Sequence, residues 1–249
     1  MPRNTRIHVA LELGSNSELL LPPTSSAHLL RVLRLRPGAA LTLFNGLGGE
    51  YAAELMATEK GQARVRVGEF NSVERESPLR VTLLQGIACG ERMDLIIQKA
   101  TELGVAAIVP LSCEFSVVRL AAHALARRRE RWQAVAYSAC EQCGRNRPPL
   151  VQDIAELDVA CSSVTSGEAS LRLMLVPEAS ESLSALARVT LQHATLLVGP
   201  EGGLSGREQL LAQRAGFRAC RLGPRTLRTE TAPLAALAAL QALAGDLAS

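Results

Sequence analysis

The sequence predicts an α/β fold with two domains, a small β-barrel over residues 1–72 and an α/β domain over residues 73–249. Short segments that alternate apolar and polar residues fill the first part of the chain, which is typical of a small barrel. From residue 81 onward strand-like apolar segments alternate with helical patterns, as in a mostly parallel sheet. The polar residues 71–78 separate the two patterns and put the boundary near residue 73.

The first domain is predicted to contain four strands, two clear turns and one short helix. Asn45-Gly46 is a strong signal for a hairpin turn, and Lys60-Gly61 marks a second turn between alternating segments. A short helix over residues 25–33 ends before Pro37 and Gly38. The predicted strands cover residues 6–9, 40–44, 50–55 and 63–67.

The second domain is predicted to alternate strands with helices. The helix that follows residue 205 has a clear start, because Ser205 and Glu208 form an S-x-x-E capping box. The predicted strands cover residues 81–88, 106–111, 171–176, 195–198 and 218–222. The predicted helices cover residues 91–103, 121–143, 182–188, 205–216 and 231–247.

Composition excludes several classes of protein. No uncharged apolar run is long enough to span a bilayer, and the N-terminus lacks a secretory pattern, so we expect a cytoplasmic protein. Six cysteines without a secretory signal indicate a reducing compartment. Cys140 and Cys143 form a lone C-x-x-C and the four histidines are scattered, so no metal site is expected. The Walker A loop and the G-x-S-x-G nucleophile elbow are both absent.

The positive charge is almost entirely arginine. The net charge is only +3, but Lys60 and Lys99 are the only lysines among 27 basic residues. Codon bias accounts for much of this preference, although arginine also suits the recognition of phosphate groups. Residues 119–147 carry seven arginines against Glu130 and Glu141, so this stretch is either an anion-binding segment or a solvated face.

Two loops carry the features of a binding site. Residues 199–203 (GPEGG) follow a predicted buried strand and precede the capped helix, which is where open α/β sheets bind ligands. Residues 222–232 (LGPRTLRTETA) place two arginines, a glutamate and threonines between the next strand and the last helix. Each loop alone is also compatible with a simple turn. Because the two loops lie at neighbouring strand ends, together they favour a ligand-binding site.

At these stretches the sequence resembles the RsmE family of SPOUT-class methyltransferases, bacterial enzymes that methylate N3 of a uridine in 16S ribosomal RNA. Two positions depart from the family pattern, since Phe115 stands where the family usually has arginine and Thr226 replaces an aliphatic residue. The matching stretches are residues 28–34, 37–38, 44–46, 85–87, 92–94, 98–104, 141–145, 199–203 and 222–232.

The resemblance implies a PUA/OB-like β-barrel followed by a SPOUT-type α/β domain whose C-terminal part forms a deep trefoil knot. It implies that S-adenosylmethionine binds in the knot, held by backbone groups of three strand-end loops. Family members act as homodimers with the last helix at the interface, and the leucine-rich residues 234–247 agree with this. The residues implied to bind the cofactor are Pro177, Gly199, Gly203, Leu222 and Leu227.

A mechanism follows from the chemistry of this methylation. Uridine N3 carries a proton at neutral pH, so the enzyme has to remove or share it and stabilise negative charge on the ring. We expect Arg225 or Arg228 to supply the positive field. Glu230 either helps to remove the proton or orients an arginine, although an acid at a helix start also has a purely structural explanation.

The expected partner is 16S ribosomal RNA or the small ribosomal subunit. Aromatic residues make up only 3% of the chain, so phosphate contacts should dominate over base stacking. Two alternatives are open: another SPOUT methyltransferase that acts on a different ribosomal or transfer RNA nucleotide, and a non-catalytic RNA-binding module. The residues expected to bind RNA are Arg6, Arg31, Arg34, Arg36, Arg145 and Arg147.

Overall fold

The computed structural model describes residues 5–117, 122–163, 170–186 and 191–248. Contacts divide the chain into two units. The first comprises Met1–Glu76 with Tyr137–Pro148, and the second comprises Ser77–Ala136 with Pro149–Ser249. The first unit therefore includes a segment that the sequence assigned to the second domain, and the domain boundary near residue 73 stays a prediction.

The first unit is built on a sheet of five strands, namely β1 (Thr5–His8), β2 (Glu18–Leu20), β3 (Ala40–Phe44), β4 (Glu50–Glu59) and β5 (Gln62–Asn71). Their order in the sheet is β1-β3-β4-β5-β2, and all neighbouring pairs are antiparallel except β1 and β3, which are parallel. Both predicted hairpins are confirmed. Residues 45–49, with a positive φ at Gly46, join the antiparallel pair β3 and β4, and the two-residue turn Lys60-Gly61, with positive φ at both residues, joins β4 and β5.

The sheet is open in the part of the chain that the structure describes, since its end strands β1 and β2 do not pair with each other. Strand β2, with only three residues, was not predicted. One face of the sheet buries the alternating apolar residues of the predicted strands, among them Ile7, Leu43, Leu55 and Val65. The periodicity that predicted the strands therefore also defines the core of this unit.

The predicted helix over residues 25–33 is wrong in part. Helix α1 (Pro23–Ala27) is followed by a π-helical turn, His28–Val32, which the Leu33 N–H closes by donating to the His28 carbonyl at 2.9 Å. This wider turn keeps Leu29 fully buried. Arg34 then adopts φ +53°, a left-handed conformation that few non-glycine residues adopt and that often occurs near functional segments.

The second unit is built on a seven-stranded sheet in which every described pair is parallel, which confirms the predicted, mostly parallel sheet. The strands are β6 (Arg80–Gly86), β7 (Val105–Ser112), β8 (Leu150–Val151), β9 (Ala155–Glu156), β10 (Ser170–Leu175), β11 (His193–Val198) and β12 (Arg218–Cys220). Their order in the sheet is β12-β10-β11-β6-β7-β8, and β9 also pairs with β7.

Helices cover both faces of this sheet, so its central strands are apolar on both sides. The helices are α2 (Arg92–Glu102), α3 (Ala122–Cys143), α4 (Leu157–Ser162), α5 (Leu183–Leu186), α6 (Gly206–Arg214) and α7 (Thr231–Ala244). On one face of the sheet Leu83 packs in the same cluster as Ile97 of α2, and on the other face Leu84 packs with Leu197. The very short β8, β9 and α4 were not predicted, because they are too short to show a period.

The capping box predicted at the start of α6 is confirmed. The Ser205 Oγ accepts from the Glu208 N–H at 3.2 Å, and the Glu208 carboxylate accepts from the Ser205 N–H at 2.8 Å. The predicted helix over residues 182–188 extends beyond the described residues at its end.

No described helix is long and apolar enough to cross a membrane, and the described residues include no group of three metal-binding side chains.

Candidate active site

A cavity of about 610 Å³ lies in the second unit, at the carboxyl ends of β10, β11 and β12. This is the edge of a parallel sheet where ligands are expected to bind. The structure brings together all eight residues that the sequence assigned to cofactor binding and catalysis. The cavity is lined by Pro177, Gly199, Gly203, Leu222, Arg225, Leu227, Arg228 and Glu230.

The loop after β11 is so tightly packed that two of its positions require glycine. A Cβ on Gly199 would lie 2.8 Å from the backbone carbon of Gly203, and a Cβ on Gly202 would lie 2.8 Å from the Cβ of Phe115. The Gly203 N–H donates to the Pro200 carbonyl at 2.9 Å, which closes the turn. At Gly199, Gly202 and Gly203 the loop therefore presents backbone rather than side chains to the cavity.

The two arginines of the loop between β12 and α7 are available for a ligand. Arg225 and Arg228 are both exposed and line the cavity. Within the described residues neither guanidinium group forms a hydrogen bond or an ion pair. Because their charges are not used in folding contacts, an anionic group entering the cavity would meet two uncompensated guanidinium groups.

Glu230 lies at the N-cap of α7, where its side chain makes no capping hydrogen bond. Its carboxylate is largely buried and lies 3.8 Å from Nε of Arg92. Helix α7 begins at Thr231, directly after Glu230. The carboxylate of Glu230 therefore does not cap α7 but belongs to a polar cluster with Arg92 and Glu201.

Arg92 and Glu201 belong to this cluster, and sequence reasoning did not include them among the site residues. Arg92 Nη1 donates to Glu201 Oε1 at 2.7 Å, and the Cys89 N–H donates to the same oxygen at 2.9 Å. Burial alone would raise the pKa of Glu201, but the hydrogen bonds from Cys89 and Arg92 lower it below its usual value. Arg92 thus links the loop after β11 to Glu230.

A second missed group is buried beneath the cavity. The hydroxyl of Thr229 donates to the Gly199 carbonyl at 2.9 Å, and Gln85 Nε2 lies 3.4 Å from that hydroxyl. Gln85 is fully buried in β6. One signal was available in the sequence, since a glutamine inside a buried apolar strand needs a polar partner.

The six arginines predicted to contact RNA fall into two groups. Arg31, Arg34, Arg36 and Arg147 are exposed, and Arg147 lies 3.5 Å from Glu74. The side chains of Arg6 and Arg145, by contrast, are 12% and 6% exposed.

The two buried arginines hold the segment that follows α3 inside the first unit. Arg6 pairs with Glu50 and donates to Asn146 Oδ1 at 2.6 Å, and Arg145 pairs with Glu76 at 2.6 Å. Their position in the core of this unit indicates a structural role, so an RNA contact by either one stays a prediction.

Comparisons with known proteins agree with this geometry. Residues 75–241 match the model of the RNA methyltransferase domain, and residues 21–68 match the RNA methyltransferase PUA domain. The ribosomal RNA small subunit methyltransferase E of Bacillus subtilis is 34% identical over 86% of this chain and 85% of its own. Its counterpart from Buchnera aphidicola of Schizaphis graminum is 31% identical over 98% of both chains.

Two solved structures resemble the chain over nearly its whole length. A protein from Legionella pneumophila, solved in complex with the bound cofactor SAM, superimposes with a TM-score of 0.93 and 39% identity, covering 98% of this chain and 99% of its own. A ribosomal RNA small subunit methyltransferase E from Neisseria gonorrhoeae, bound to S-adenosyl methionine, has a TM-score of 0.89, 39% identity and the same coverage.

Fold, site and domain matches together define an RNA methyltransferase, an enzyme with a PUA domain before its catalytic domain. The chain belongs to the ribosomal RNA small subunit methyltransferase E family. The resemblance inferred from the sequence motifs is thereby confirmed.

Proposed function

We propose that the protein transfers a methyl group from S-adenosylmethionine to N3 of a uridine in 16S ribosomal RNA. The observation that carries this proposal is the cavity at the ends of β10, β11 and β12, which is lined by every residue expected to bind the cofactor. The proposal is supported by relatives named for small-subunit ribosomal RNA methylation and by two similar structures that contain the cofactor.

The cavity fits such a cofactor in size and in chemistry. Its volume of about 610 Å³ lies within the range of small-molecule sites. Leu222, Leu227 and Pro177 would supply apolar contacts to the adenine ring, while the backbone at Gly199 and Gly203 would supply hydrogen-bonding groups. When bound, S-adenosylmethionine supplies an electrophilic methyl group on a sulfonium.

The residues of the chain have to place the uridine and manage the charge that develops on it. Methyl transfer is an in-line displacement, so holding donor and acceptor in line supplies much of the acceleration. The side chains of Arg228 and Arg225 are exposed, lack partners among the described residues and line the cavity, so either can stabilise negative charge on the uracil ring.

Glu230 is the candidate for handling the N3 proton. Its carboxylate is largely buried at the cavity and lies 3.8 Å from Arg92 Nε. In one arrangement it accepts the proton from N3, and in the other it orients an arginine toward the ring. Both arrangements require the carboxylate to stay close to the cavity, where the contact with Arg92 helps to hold it.

The proposed fold includes the deep trefoil knot of SPOUT enzymes. Thr229, in the segment between β12 and α7, is buried between Gln85 at the end of β6 and Gly199 after β11. Helix α7 then packs on α2 and β11. These contacts are the ones expected if the end of the chain passes through an earlier loop.

The proposed enzyme is a homodimer of the cytoplasm, where ribosomal RNA is modified. Helix α7 buries Leu237 and Leu240 within its own unit, whereas Leu243 and, just beyond the helix, Leu247 are exposed. An exposed apolar pair at the end of an apolar helix supports an interface with a second copy.

The RNA is proposed to bind through the exposed arginines of the first unit. Replacing Arg31, Arg34 and Arg36 together by alanine should weaken RNA binding and lower the slope of log affinity against log salt by about 2, because each phosphate contact contributes about 0.7–0.9. The matched control replaces Arg64 and Arg66 of the same unit, which are half-buried and exposed respectively and already lie within 3.8 Å of glutamates. An unchanged salt slope in the triple variant would contradict this assignment.

The function itself is tested on ribosomal RNA from cells that lack the protein. Mass spectrometry should find one uridine of 16S ribosomal RNA without its N3 methyl group, and the purified enzyme with S-adenosylmethionine should restore it. Loss of a methyl group from another ribosomal or transfer RNA nucleotide would favour a different SPOUT methyltransferase activity. An unchanged methylation pattern together with RNA binding would favour the non-catalytic module.

A further inference from the structure

One hydroxyl group ties the loop that carries the candidate catalytic residues to the body of the second unit. Thr229 stands between Arg228 and Glu230 and is 8% exposed. Its Oγ1 donates to the Gly199 carbonyl at 2.9 Å and lies 3.4 Å from Gln85 Nε2. A single short side chain therefore connects the end of β6, the loop after β11 and the loop before α7.

The residues around Thr229 have no comparable buried contact. The side chains of Arg225 and Arg228 have no partner among the described residues, and the Glu230 side chain has only its 3.8 Å ion pair with Arg92, whose side chain is substantially exposed. The Arg228 carbonyl accepts from the N–H groups of Thr231 and Ala232, but these bonds tie it only to the start of α7. The hydroxyl of Thr229 is therefore the buried side-chain group that fixes this loop to Gly199. Because Arg228 and Glu230 are its immediate neighbours, the position of Thr229 sets the position of both backbones relative to Gly199.

Gln85 carries a feature that packing alone does not explain. Its Nε2 donates to the Gly86 carbonyl at 2.9 Å and lies near Thr229, but its Oε1 is buried without a hydrogen-bond partner in the described part of the chain. An unsatisfied buried acceptor lowers the stability of the fold. Side chains that break a rule of stability in this way are expected at positions that serve function.

We propose that Gln85 and Thr229 are positioning residues for methyl transfer, which hold Arg228 and Glu230 in register with the loop of residues 199–203. Gln85 orients the hydroxyl of Thr229 by donating to it, and the hydroxyl in turn donates to the Gly199 carbonyl. This inference rests on the proposed function, since it assumes that Arg228 and Glu230 act on an RNA substrate bound beside the methyl donor.

The test compares Thr229→Val with Thr229→Ser, because valine keeps the shape but removes the hydroxyl and serine retains it. With saturating RNA and S-adenosylmethionine, Thr229→Val should lower the single-turnover rate about 10- to 100-fold, since displacement of catalytic groups by about 1 Å has effects of this size. Thr229→Ser should restore most of the rate. Cofactor affinity measured by calorimetry should change far less than the rate in both variants.

The matched control is Thr101→Val. Thr101 is also fully buried in the second unit and its hydroxyl donates to the Ile97 carbonyl at 2.7 Å, but it lies in α2 and does not line the cavity. This variant should lose thermal stability to a similar extent as Thr229→Val and keep the wild-type rate. If both variants lose activity in proportion to stability, Thr229 is merely structural and the inference is wrong.

Gln85→Met gives an independent readout, because methionine has a similar volume and no unsatisfied oxygen. The transfer rate should fall while the melting temperature stays the same or rises, which a purely structural role does not predict. A normal rate in Gln85→Met or in Thr229→Val would overturn the inference. Failure of the wild-type enzyme to methylate any RNA would instead overturn the proposed function, so the two failures are distinguishable.

Discussion

Arg228→Ala is expected to lower the rate of methyl transfer about 10²- to 10³-fold, the size of effect seen when one electrostatic donor is removed from a reacting centre. The side chain is exposed at the cavity and free of partners in the described residues, so its charge is available to the uracil ring. For the same reason its removal leaves no buried charge behind. Cofactor affinity measured by calorimetry should therefore fall little, and the melting temperature should hardly change.

The control for this variant is Arg214→Ala. Arg214 is also exposed, in the last turn of α6, but does not line the cavity. It should keep the wild-type rate. A normal rate in Arg228→Ala would remove Arg228 from the mechanism and leave Arg225 as the candidate for the positive field.

Gly199→Ala is expected to weaken binding of S-adenosylmethionine about 10- to 100-fold. The new methyl group would lie 2.8 Å from the backbone carbon of Gly203 and 3.0 Å from the backbone nitrogen of Leu204, so the loop has to open. Overpacking of this kind costs about 1–3 kcal/mol, which corresponds to the expected loss of affinity. Isothermal titration with the cofactor, without RNA, measures the effect directly.

Gly206→Ala is the matched control for this glycine. A Cβ at Gly206 meets nothing within 4 Å, and the residue begins α6, where alanine is favoured over glycine. This variant should bind the cofactor normally and be more stable by about 0.4–1 kcal/mol. If Gly199→Ala binds S-adenosylmethionine as tightly as Gly206→Ala does, the loop of residues 199–203 is not the cofactor site.

Most of the regular structure follows from local patterns in the sequence. The alternation that predicted the strands of the first unit and the capping box at Ser205 are both found in the structure. The helix over residues 25–33 was predicted as one continuous element because its apolar spacing fits an α-helix. Its second half is π-helical, with Leu29 packed in the core of the first unit. This is an effect of tertiary packing that propensity does not describe.

The residues of the candidate site likewise fall into those that the sequence predicts and those that only the fold brings together. The glycines of residues 199–203 and the arginines of the loop before α7 were predictable, because each segment shows its chemistry within a few neighbouring residues. The ion pair between Arg92 and Glu201 joins residues 109 positions apart, and the contact between Gln85 and Thr229 joins residues 144 positions apart. No local rule pairs such residues, although the polar Gln85 within an apolar strand indicated that it needed a partner.

The sequence by itself determined the two-part organisation, the order of the main strands and helices, and the loops that hold the site, because these depend on periodicity and on the backbone preferences of single residues. Only the tertiary structure decided the strand order β12-β10-β11-β6-β7-β8, which brings the three strand-end loops to one cavity. It also decided which arginines are available. Arg6 and Arg145 are buried in ion pairs while Arg225 and Arg228 face the cavity, because the availability of a charge depends on partners that the folded chain brings from distant positions.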